Sequence, residues 1–395
     1  MIKLAAPVTP PLLSGATLAS ATSVAQSLYW ESVDQYWYVC QPDDTPEDMD
    51  RLTVSRLTAD GALVDKMVVG RAGHGANLGV ERDATGTYLW IDAVPSGGWA
   101  TALARVPYVP NGTADASAPA VVRTPRTGVY RVSATVDPTR RQLIYRWQSN
   151  DVASPQATGG IDRYDLAAAA AGRFTPLQTL SYGASGKTLQ GFTALGDQVY
   201  HLYGDQGQDN ATLTCTDWAT GTLLQSQHIT AFAGLAYREP EGVCVFENSP
   251  GDPSATLAFG IAARTDTGVR HLNVARFPHP GTNPWVPVAY NTALYKPNSD
   301  NYTPQYRLAG DQVFLHFSLS KVDGTAWGQG ETLFQLPLRA RPDRTQRLLG
   351  VVSGSAVTGD TMAVRFEVTT DGKVSVWDER SLVGWIGGDV SFWVC

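Results

Sequence analysis

Two glutamates on either side of a proline form the most conspicuous pair of carboxylates in this sequence. Glu239 and Glu241 lie in the segment EPEG, and the apolar run VCVF follows directly. Two carboxylates that face one cavity can share the acid and base roles of glycoside hydrolysis, hold a cation or accept hydrogen bonds from a ligand. The structural alternative is a solvated turn or a hydrogen bond between repeated β-modules. These residues alone leave the structural, ligand-binding and catalytic roles open.

A histidine and a glutamine occupy comparable glycine-containing segments. His74 stands between two glycines in GHG, and Gln190 precedes a glycine in QGF. Glycine lets the backbone adopt positive φ or approach another group closely, so a side chain held there can point into a cavity. The structural alternative is a hydrogen bond between packed inner strands. We treat His74 and Gln190 as candidate ligand-binding residues together with the two glutamates.

Aromatic side chains offer a third kind of ligand contact. Trp90, Trp99 and Tyr203 present rings with an apolar face and a polar edge, which suits the stacking of sugar rings. The alternative for most of the aromatic residues is packing in a β-sheet core. Trp99 lies in the loop-like segment PSGGWAT, so we expect it to be the most exposed of the three.

Two acidic loops could bind a hard cation such as calcium, which prefers oxygen ligands. They are PDDTPEDMD (42–50) and GDQGQDN (204–210), and neither has the spacing of an EF-hand. We expect both to be solvated loops and predict no cofactor; calcium is the ion they would suit. The sequence contains no G-x-S-x-G segment, which is typical of one class of serine hydrolases.

The cysteines and the overall charge exclude other classes of site. Cys40, Cys215, Cys244 and Cys395 form no CxxC pair, so we expect buried thiols rather than a zinc site or disulfides. The net charge is −7 and there is no basic stripe, which argues against a nucleic-acid partner. No apolar run reaches the ~18 residues of a membrane span. Prolines interrupt the apolar N-terminus, so we expect no signal peptide and synthesis in the cytoplasm.

The elements that must position these residues are short strands. Alternating apolar and polar residues with glycine turns predict strands almost throughout, and DLAAAAAGRF (165–174) is the exception that predicts a short helix ended by Gly172. A unit of an aromatic strand followed by a glycine hairpin recurs five times, at a spacing of roughly 45–55 residues. Repeated four-stranded units of this size are typical of a β-propeller.

We therefore predict an all-β protein with a five-bladed β-propeller and a small C-terminal β-sandwich. The predicted divisions are an extended N-terminal arm (1–24), the propeller (25–280), a Pro/Asn-rich linker (281–304) and the β-sandwich (305–395). The pair Asp371-Gly372 predicts a tight hairpin in the last division.

The propeller predicts where the candidate residues meet. The first residues of the inner strands of different blades converge around the axis, and His74, Gln190, Glu239 and Glu241 all occupy such positions. We expect one of the two glutamates to face the central channel and the other to cap a neighbouring backbone group.

The order of several segments carries a resemblance to a known family. QSLYW, YWYVCQ, RLTADG, GHGANLGVE, QGF and EPEGV follow one another as in the teichoic-acid-biosynthesis-protein-C-like propellers of phage receptor-binding proteins. The C-terminal segments PQYRLAGDQVFLHFSL and LFQLPLRARP resemble a phage tail-fibre or baseplate tip domain. The resemblance implies an adhesin at the tail tip or baseplate of a virion, with other tail proteins as partners. It further implies that the receptor is a cell-wall polysaccharide or teichoic acid of a Gram-positive, actinobacterial host.

Two other functions remain open, and the assembly state is a separate prediction. A propeller hydrolase or lyase acting on cell-wall polymer would need convergent carboxylates and a histidine in a deep pocket. A structural baseplate or fibre adaptor would need neither. Four tryptophans between 327 and 393 exceed what a domain of this size needs for its core, so we predict a homo-oligomer, a trimer, joined through residues 305–395.

Overall fold

The computed structural model describes residues 2, 4, 11–43, 50–252, 254–278, 285–299, 302–309, 312–353, 361–378, 380 and 382–394. The chain divides into two compact units. The first, called the propeller unit below, comprises Met1–Gly251 and Ala255–Pro278. The second, the C-terminal unit, comprises Asp252–Ser254 and His279–Cys395.

The propeller unit consists of short antiparallel strands. In chain order they are β1 (Leu13–Thr17), β2 (Ser27–Glu31), β3 (Tyr36–Pro42), β4 (Leu52–Leu57), β5 (Leu63–Gly70), β6 (Gly79–Asp83), β7 (Gly86–Ser96), β8 (Trp99–Pro107), β9 (Thr113–Asp115), β10 (Val122–Arg123), β11 (Tyr130–Asp137), β12 (Gln142–Gln148), β13 (Gly159–Asp165), β14 (Gln178–Tyr182), β15 (Leu189–Leu195), β16 (Gln198–Tyr203), β17 (Thr212–Asp217), β18 (Leu223–His228), β19 (Glu239–Phe246), β20 (Thr256–Arg264) and β21 (Arg270–Arg276).

These strands form five blades, which confirms the predicted propeller. Blade 1 is β2–β5 with β9 added in parallel, blade 2 is β6, β7, β8 and β10, blade 3 is β11–β14, blade 4 is β15–β18, and blade 5 is β19–β21 with β1. Each innermost strand contacts the next one around the ring, and β19 of blade 5 contacts β2 of blade 1. The ring is therefore closed.

The N-terminal segment takes part in that closure. Strand β1 pairs antiparallel with β21 and becomes the outer strand of blade 5. Residues 13–17 thus belong to the last blade, although the sequence predicted an extended arm over 1–24. Pairing the two ends of the propeller sequence in one blade links the first residues to the last, and it leaves β21 without an open edge.

Glycines allow the inner strands to approach one another. Gly242 has φ +82°, and a Cβ atom there would lie 2.6 Å from Leu28 Cδ2 and 2.9 Å from the Leu28 nitrogen. A Cβ atom on Gly191 would lie 2.9 Å from the Gly242 Cα. The glycines of EPEG and QGF therefore bring the inner strands of blades 4, 5 and 1 into direct contact, because no larger residue fits there.

Aromatic residues fill the space between blades. Trp30 packs against Trp37 and Phe246, with ring centroids 4.8 and 5.1 Å apart. Its indole nitrogen donates to the Glu247 carbonyl at 2.6 Å, so the polar edge of a buried ring is satisfied. Burying a side chain of this size contributes about 2–3 kcal/mol, which holds blade 5 against blade 1.

The predicted short helix is confirmed. Helix α1 spans Leu166–Ala170, and the side chain of Asp165 caps it by accepting from the Ala168 nitrogen at 2.7 Å. Gly172, with φ +77°, follows the last turn. Two 3-10 turns span Ser154–Gln156 and Leu338–Ala340.

The C-terminal unit is a β-domain built on one curled sheet. Its strands are β22 (Val286–Pro287), β23 (Tyr295–Pro297), β24 (Gln305–Ala309), β25 (Gln312–Lys321), β26 (Thr332–Gln335), β27 (Gln346–Ser353), β28 (Thr361–Val368), β29 (Lys373–Val376) and β30 (Ile386–Trp393). They run in the order β22-β24-β25-β30-β27-β28-β29-β26, with β23 paired to β25. Gly372, with φ +86°, makes the predicted turn between β28 and β29.

The described part of 281–304 packs with this sheet. Strands β22 and β23 pair with β24 and β25, and Val286 and Tyr295 are buried in the core of the C-terminal unit. Of the tryptophans predicted to enlarge the surface of this unit, Trp327 does not do so, and that prediction is wrong. Trp327 is part of the buried core of this unit and is stacked on Tyr295 at 5.6 Å.

Candidate functional site

A cavity of about 530 Å³ lies where the inner strands of the propeller begin. It is lined by Val24, Gln26, His74, Ala76, Trp99, Arg131, Ser133, Arg146, Gln148, Ala153, Ser154, Pro155, Thr188, Leu189, Gln190, Gly191, Phe192, Glu239 and Glu241. Five of the seven residues singled out in the sequence are on this wall: His74, Trp99, Gln190, Glu239 and Glu241. We call this space the axial cavity.

One wall is a stack of a histidine, a tryptophan and an arginine. The rings of His74 and Trp99 lie 4.5 Å apart at 30°. The Arg131 guanidinium lies over the Trp99 ring, 4.6 Å from its centroid, in a cation–π arrangement. Burial lowers the pKa of His74, and the positive charge of Arg131 lowers it further. The imidazole therefore tends to be neutral, and the wall carries its positive charge on Arg131.

The GHG segment holds His74 through backbone contacts. Gly75 has φ +77°, and its nitrogen and that of Ala76 donate to Asp92 Oδ2 at 3.0 and 3.3 Å. Asp92 is fully buried, and desolvation raises its pKa to about 7. A Cβ atom on Gly73 would lie 2.8 Å from the Ala100 nitrogen. Both glycines are thus required by the tight fit of this loop.

Glu239 and Glu241 face the axial cavity together. The expectation that only one of them faces the channel is wrong, because residues two apart on one strand point to the same side and both line the cavity. Burial raises the pKa of Glu239 and raises that of Glu241 well above its usual range, and the charge of Glu239 raises the pKa of Glu241 further. The pair keeps protons to higher pH than exposed glutamates do.

Gln190 links the wall of the axial cavity to the next loop. Its amide nitrogen donates to the Gly204 carbonyl at 3.0 Å, and it lines the axial cavity together with Glu239. Beside it, the Asn77 side chain donates to the Phe192 carbonyl at 2.9 Å and links blades 2 and 4 across the ring. These contacts fix the positions of the polar groups on this side of the axial cavity.

Two arginines of the wall were not singled out in the sequence. Arg146 is 6% exposed, faces the axial cavity and forms no ion pair with any described residue. With the Gln148 amide oriented so that both of its ends are satisfied, the Gln148 oxygen accepts from Arg146 Nη2 at 2.9 Å. Arg131 pairs with Asp151 at 2.8 Å. Neither arginine could be recognised from the sequence as a cavity-lining residue. Each lies in an ordinary alternating strand, and only ring closure turns that strand toward the axis.

Trp90 and Tyr203 lie away from the axial cavity. Trp90 is fully buried in blade 2, and its indole nitrogen donates to Glu81 at 2.9 Å. A tryptophan in the middle of a strand is a core residue here, so its predicted ligand contact is not supported by its position. Tyr203 lines a smaller neighbouring pocket of about 40 Å³ and stacks on His201 at 5.9 Å. That pocket shares Arg146 with the axial cavity.

Metal binding gains no support from the part of the chain that is described. No group of three or more His, Cys, Asp or Glu side chains there could hold an ion. Residues 44–49 of the first acidic loop lie outside the described residues. In the second loop, Asp205 and Asn210 bond each other, with the Asn210 amide nitrogen 2.7 Å from Asp205 Oδ2.

The remaining features concern cysteines and membranes. Cys40, Cys215 and Cys244 are free, buried thiols, and Cys395 lies outside the described residues. Among the described residues, no helix has the length and apolar character needed to cross a membrane.

Comparison with known families identifies the propeller unit. A family profile described as "Phage 5-bladed beta propeller receptor binding platform domain" matches residues 24–274. The Bacillus subtilis (strain 168) protein named "Putative major teichoic acid biosynthesis protein C" is 26% identical over 268 residues. That alignment covers 65% of this chain and 60% of the relative, so the chain spans about three fifths of the relative's length.

A solved tail-fibre structure shares the fold. The tail fiber of Staphylococcus aureus phage P68 aligns over 95% of both chains with a TM-score of 0.54 and 14% identity. This similarity concerns the fold alone. An exo-β-1,3-galactanase from Phanerochaete chrysosporium aligns over 99% of both chains with a TM-score of 0.42 and 9% identity, which is too low to carry an argument about activity.

Proposed function

Because this chain belongs to the family of phage five-bladed β-propeller receptor-binding platform domains, we propose that it is an adhesin whose propeller binds a cell-wall glycopolymer. The proposed host is Gram-positive, and actinobacterial hosts are the first to test. The proposed receptor is a wall polysaccharide or teichoic acid. The proposed location is the tail tip or baseplate of a virion, where other tail proteins would be partners.

The observation that carries this proposal is the composition of the axial cavity. It combines an aromatic surface, two arginines and several hydrogen-bonding side chains in one space of about 530 Å³. A glycopolymer needs these three kinds of contact, because it presents apolar ring faces, hydroxyl groups and, in a teichoic acid, phosphates. The cavity would admit a short stretch of polymer rather than a whole chain.

Each wall would contact a different part of the polymer. Trp99 and His74 form a stack on which a sugar or polyol face can lie. Arg146, which has no ion-pair partner among the described residues, and Arg131 supply donors for phosphate or carboxylate groups. Gln190 and Glu239 supply an amide and a carboxyl group for hydroxyls. Because burial raises the pKa of both glutamates, their repulsion of an anionic polymer is weaker than that of exposed carboxylates.

We also propose that the chain assembles as a trimer through residues 305–395. Exposed apolar side chains on the C-terminal unit support this, with Trp393 at 56% and Val383 at 45% exposure. Exposed apolar side chains of this size are typical of interaction surfaces when they are contiguous. A trimer would raise avidity for a repetitive polymer without any new contact at each site.

A hydrolase or lyase is the second candidate, and one observation favours it. Glu239 and Glu241 line the same cavity, and burial raises the pKa of both carboxyl groups, as for a general acid. Incubation of purified chain with wall polymer would release soluble fragments if this candidate held. A purely structural adaptor, the third possibility, would neither bind walls nor release fragments.

The experiment that tests the proposal is sedimentation of the purified chain with cell walls. Walls from Gram-positive hosts, actinobacteria among them, are used intact or after extraction of teichoic acid and polysaccharide. We expect co-sedimentation with intact walls of a susceptible host and its loss after extraction. Equal binding to both preparations would contradict a glycopolymer receptor, and absence of binding to all walls would favour the structural adaptor.

A further inference from the structure

A second pocket, of about 350 Å³, lies on the C-terminal sheet where β25, β27 and β30 meet. The side chains of β25 alternate here: Leu315 and Phe317 are buried in the core of the unit, whereas His316 points to the other face. The register places His316 directly opposite Asp389 of β30. We call this space the sheet pocket.

The polar centre of the sheet pocket is a histidine–aspartate pair. The Nδ1 atom of His316 lies 2.5 Å from Asp389 Oδ1, and the Asp389 side chain is 77% exposed. Tyr302 stacks on the His316 ring at 5.2 Å and 22°. The carboxylate is therefore held in place by the histidine and still reaches solvent.

The sheet itself fixes the loop that carries the tyrosine. Strand β23 pairs with β25, and the Asn298 backbone nitrogen then donates to the Ser318 carbonyl at 3.0 Å. This bond sets Asn298 on the rim of the pocket beside Tyr302. Trp385, which is half-buried, and Leu349, which is 74% exposed, are further lining residues.

The sheet pocket thus combines aromatic rings, an exposed carboxylate and an amide in one concavity. Sugar recognition uses these groups, because a pyranose offers an apolar face for stacking and hydroxyl groups that donate to a carboxylate or an amide oxygen. The lining that the structure describes contains one carboxylate and neither lysine nor arginine. A phosphate or uronate would meet the like charge of Asp389, and the described lining offers it no lysine or arginine in compensation.

We propose that the sheet pocket binds one uncharged pyranose sugar, with Tyr302 and Trp385 contacting its apolar surface and Asp389 accepting hydroxyl hydrogens. This site is separate from the axial cavity and does not depend on the function proposed for that cavity. It gives the C-terminal unit a binding role of its own.

The test is saturation-transfer NMR on the full chain with methyl glycosides of glucose, galactose and N-acetylglucosamine. Glycerol 3-phosphate serves as the anionic probe. We expect saturation to pass from the protein to at least one neutral sugar, with a signal that saturates as the sugar concentration rises. We expect no transfer to glycerol 3-phosphate at this pocket. Tyr302→Ala and Asp389→Asn should each weaken the binding about tenfold or more.

The chain offers matched controls. Tyr237→Ala removes a tyrosine of similar exposure, 45% against 42% for Tyr302, from outside the pocket. Asp371→Asn removes an exposed aspartate from a turn. Both should leave the sugar signals unchanged. Thermal melts confirm that each variant is folded, and Asp389→Asn at an exposed position keeps the test informative if Tyr302→Ala does not fold.

Three results would overturn the proposal. The first is that no neutral sugar receives saturable transfer from the protein, or that the transfer is unchanged in both Tyr302→Ala and Asp389→Asn. The second is a preference of the pocket for glycerol 3-phosphate. The third is a change of oligomeric mass in Tyr302→Ala and Asp389→Asn without any sugar binding, which would assign the pocket to contacts between copies of this chain.

Discussion

The axial cavity and the sheet pocket each contain a histidine–aromatic pair, and the charged groups beside the two pairs have opposite signs. In the cavity, His74 stacks on Trp99 at 4.5 Å and Arg131 covers the tryptophan. In the pocket, His316 stacks on Tyr302 at 5.2 Å and pairs with a carboxylate. A histidine–aromatic pair supplies a flat surface in both places, so the charged neighbour determines which ligands are accepted. The comparison teaches that one chain can place either a cation or a carboxylate beside a histidine–aromatic pair.

The two sites also differ in how the fold supports them. The axial cavity exists because five strands meet around an axis, so residues far apart in sequence depend on ring closure. The sheet pocket depends on the register of neighbouring strands, with a single short loop added. Perturbing the ring should therefore affect one site and spare the other.

The largest expected effect comes from disturbing ring closure. Gly242→Val places a branched side chain at φ +82°, where a Cβ atom would already lie 2.6 Å from Leu28. We expect the propeller to lose about 2–5 kcal/mol of stability from strain and overlap. Gly207→Val is the control, because Gly207 has φ +68° and a Cβ atom there would meet no other atom within 4 Å, and it should lose about 1–2 kcal/mol. Thermal melts that move equally for both variants would contradict close packing of the inner strands.

The next effect concerns assembly and separates the roles of the two units. Light scattering should give a trimer for the full chain and a monomer for residues 1–278, the main part of the propeller unit. The truncated chain should still melt cooperatively, because the closed ring buries its own core. A monomeric full chain at micromolar concentration would contradict the trimer. The same oligomer for both chains would move the contact to the propeller unit.

Binding variants in the axial cavity sharpen the comparison further. We expect His74→Ala and Glu239→Gln each to weaken wall binding about tenfold or more, because each removes a cavity-lining group. Their melting temperatures should change little, because both side chains are half-buried rather than core. Gln227→Ala, on an outer strand, is the control. A large fall in melting temperature with intact binding per folded molecule would instead give these residues a structural role.

The smallest expected effect is a difference in pH dependence between the units. Desolvation raises the pKa of Asp92 from its ordinary 3.8 to about 7. The unfolded chain therefore loses this proton first, and the contribution of Asp92 to stability declines as the pH rises from about 4 to 7. In the wild type, this effect should lower the free energy of unfolding on the order of 1–3 kcal/mol between pH 5 and pH 8. Denaturant unfolding at the two pH values should show that Asp92→Asn removes this decline.

Asp371, in the C-terminal unit, should change stability with pH in the opposite direction. Hydrogen bonds from Lys373 and Thr369 lower the pKa of Asp371 to about 2. Its contribution is present above its ordinary pKa and is lost as the pH falls toward 2. Asp371→Asn should therefore change acid unfolding and leave the range from pH 5 to 8 unaffected. If Asp92→Asn and the wild type show the same change between pH 5 and 8, the buried carboxyl of Asp92 is not the group responsible.

Much of the axial cavity was predictable from glycine. QGF and EPEG lie at the beginnings of inner strands, and GHG lies a few residues before one. Their glycines leave no space for a larger residue, and the propeller repeat brings the three segments together. The residues beside them, His74, Gln190 and Glu239, could therefore be grouped without a structure. The two glycines before Trp99 predicted a loop there, but Trp99 is the first residue of strand β8 and is half-buried.

Other features could not be derived from local patterns. Arg146 lies in an ordinary alternating strand, and only the closed ring turns it toward the axis. Trp90 looks like Trp99 in composition, yet its strand is central in blade 2 and the ring is buried. His316 and Asp389 meet through a strand pairing that spans 73 residues, and no short segment records such a pairing. The short strand β1 likewise gave no sign that it completes the last blade.

The central claim is that the axial cavity is the site of wall-polymer binding. Isothermal titration of purified wall polymer into the full chain, Trp99→Ala and Tyr302→Ala tests it most directly. The account predicts that Trp99→Ala weakens polymer binding about tenfold or more, while Tyr302→Ala binds polymer within about twofold of the wild type. Loss of polymer binding in Tyr302→Ala with wild-type affinity in Trp99→Ala would contradict the account and assign the receptor to the C-terminal unit.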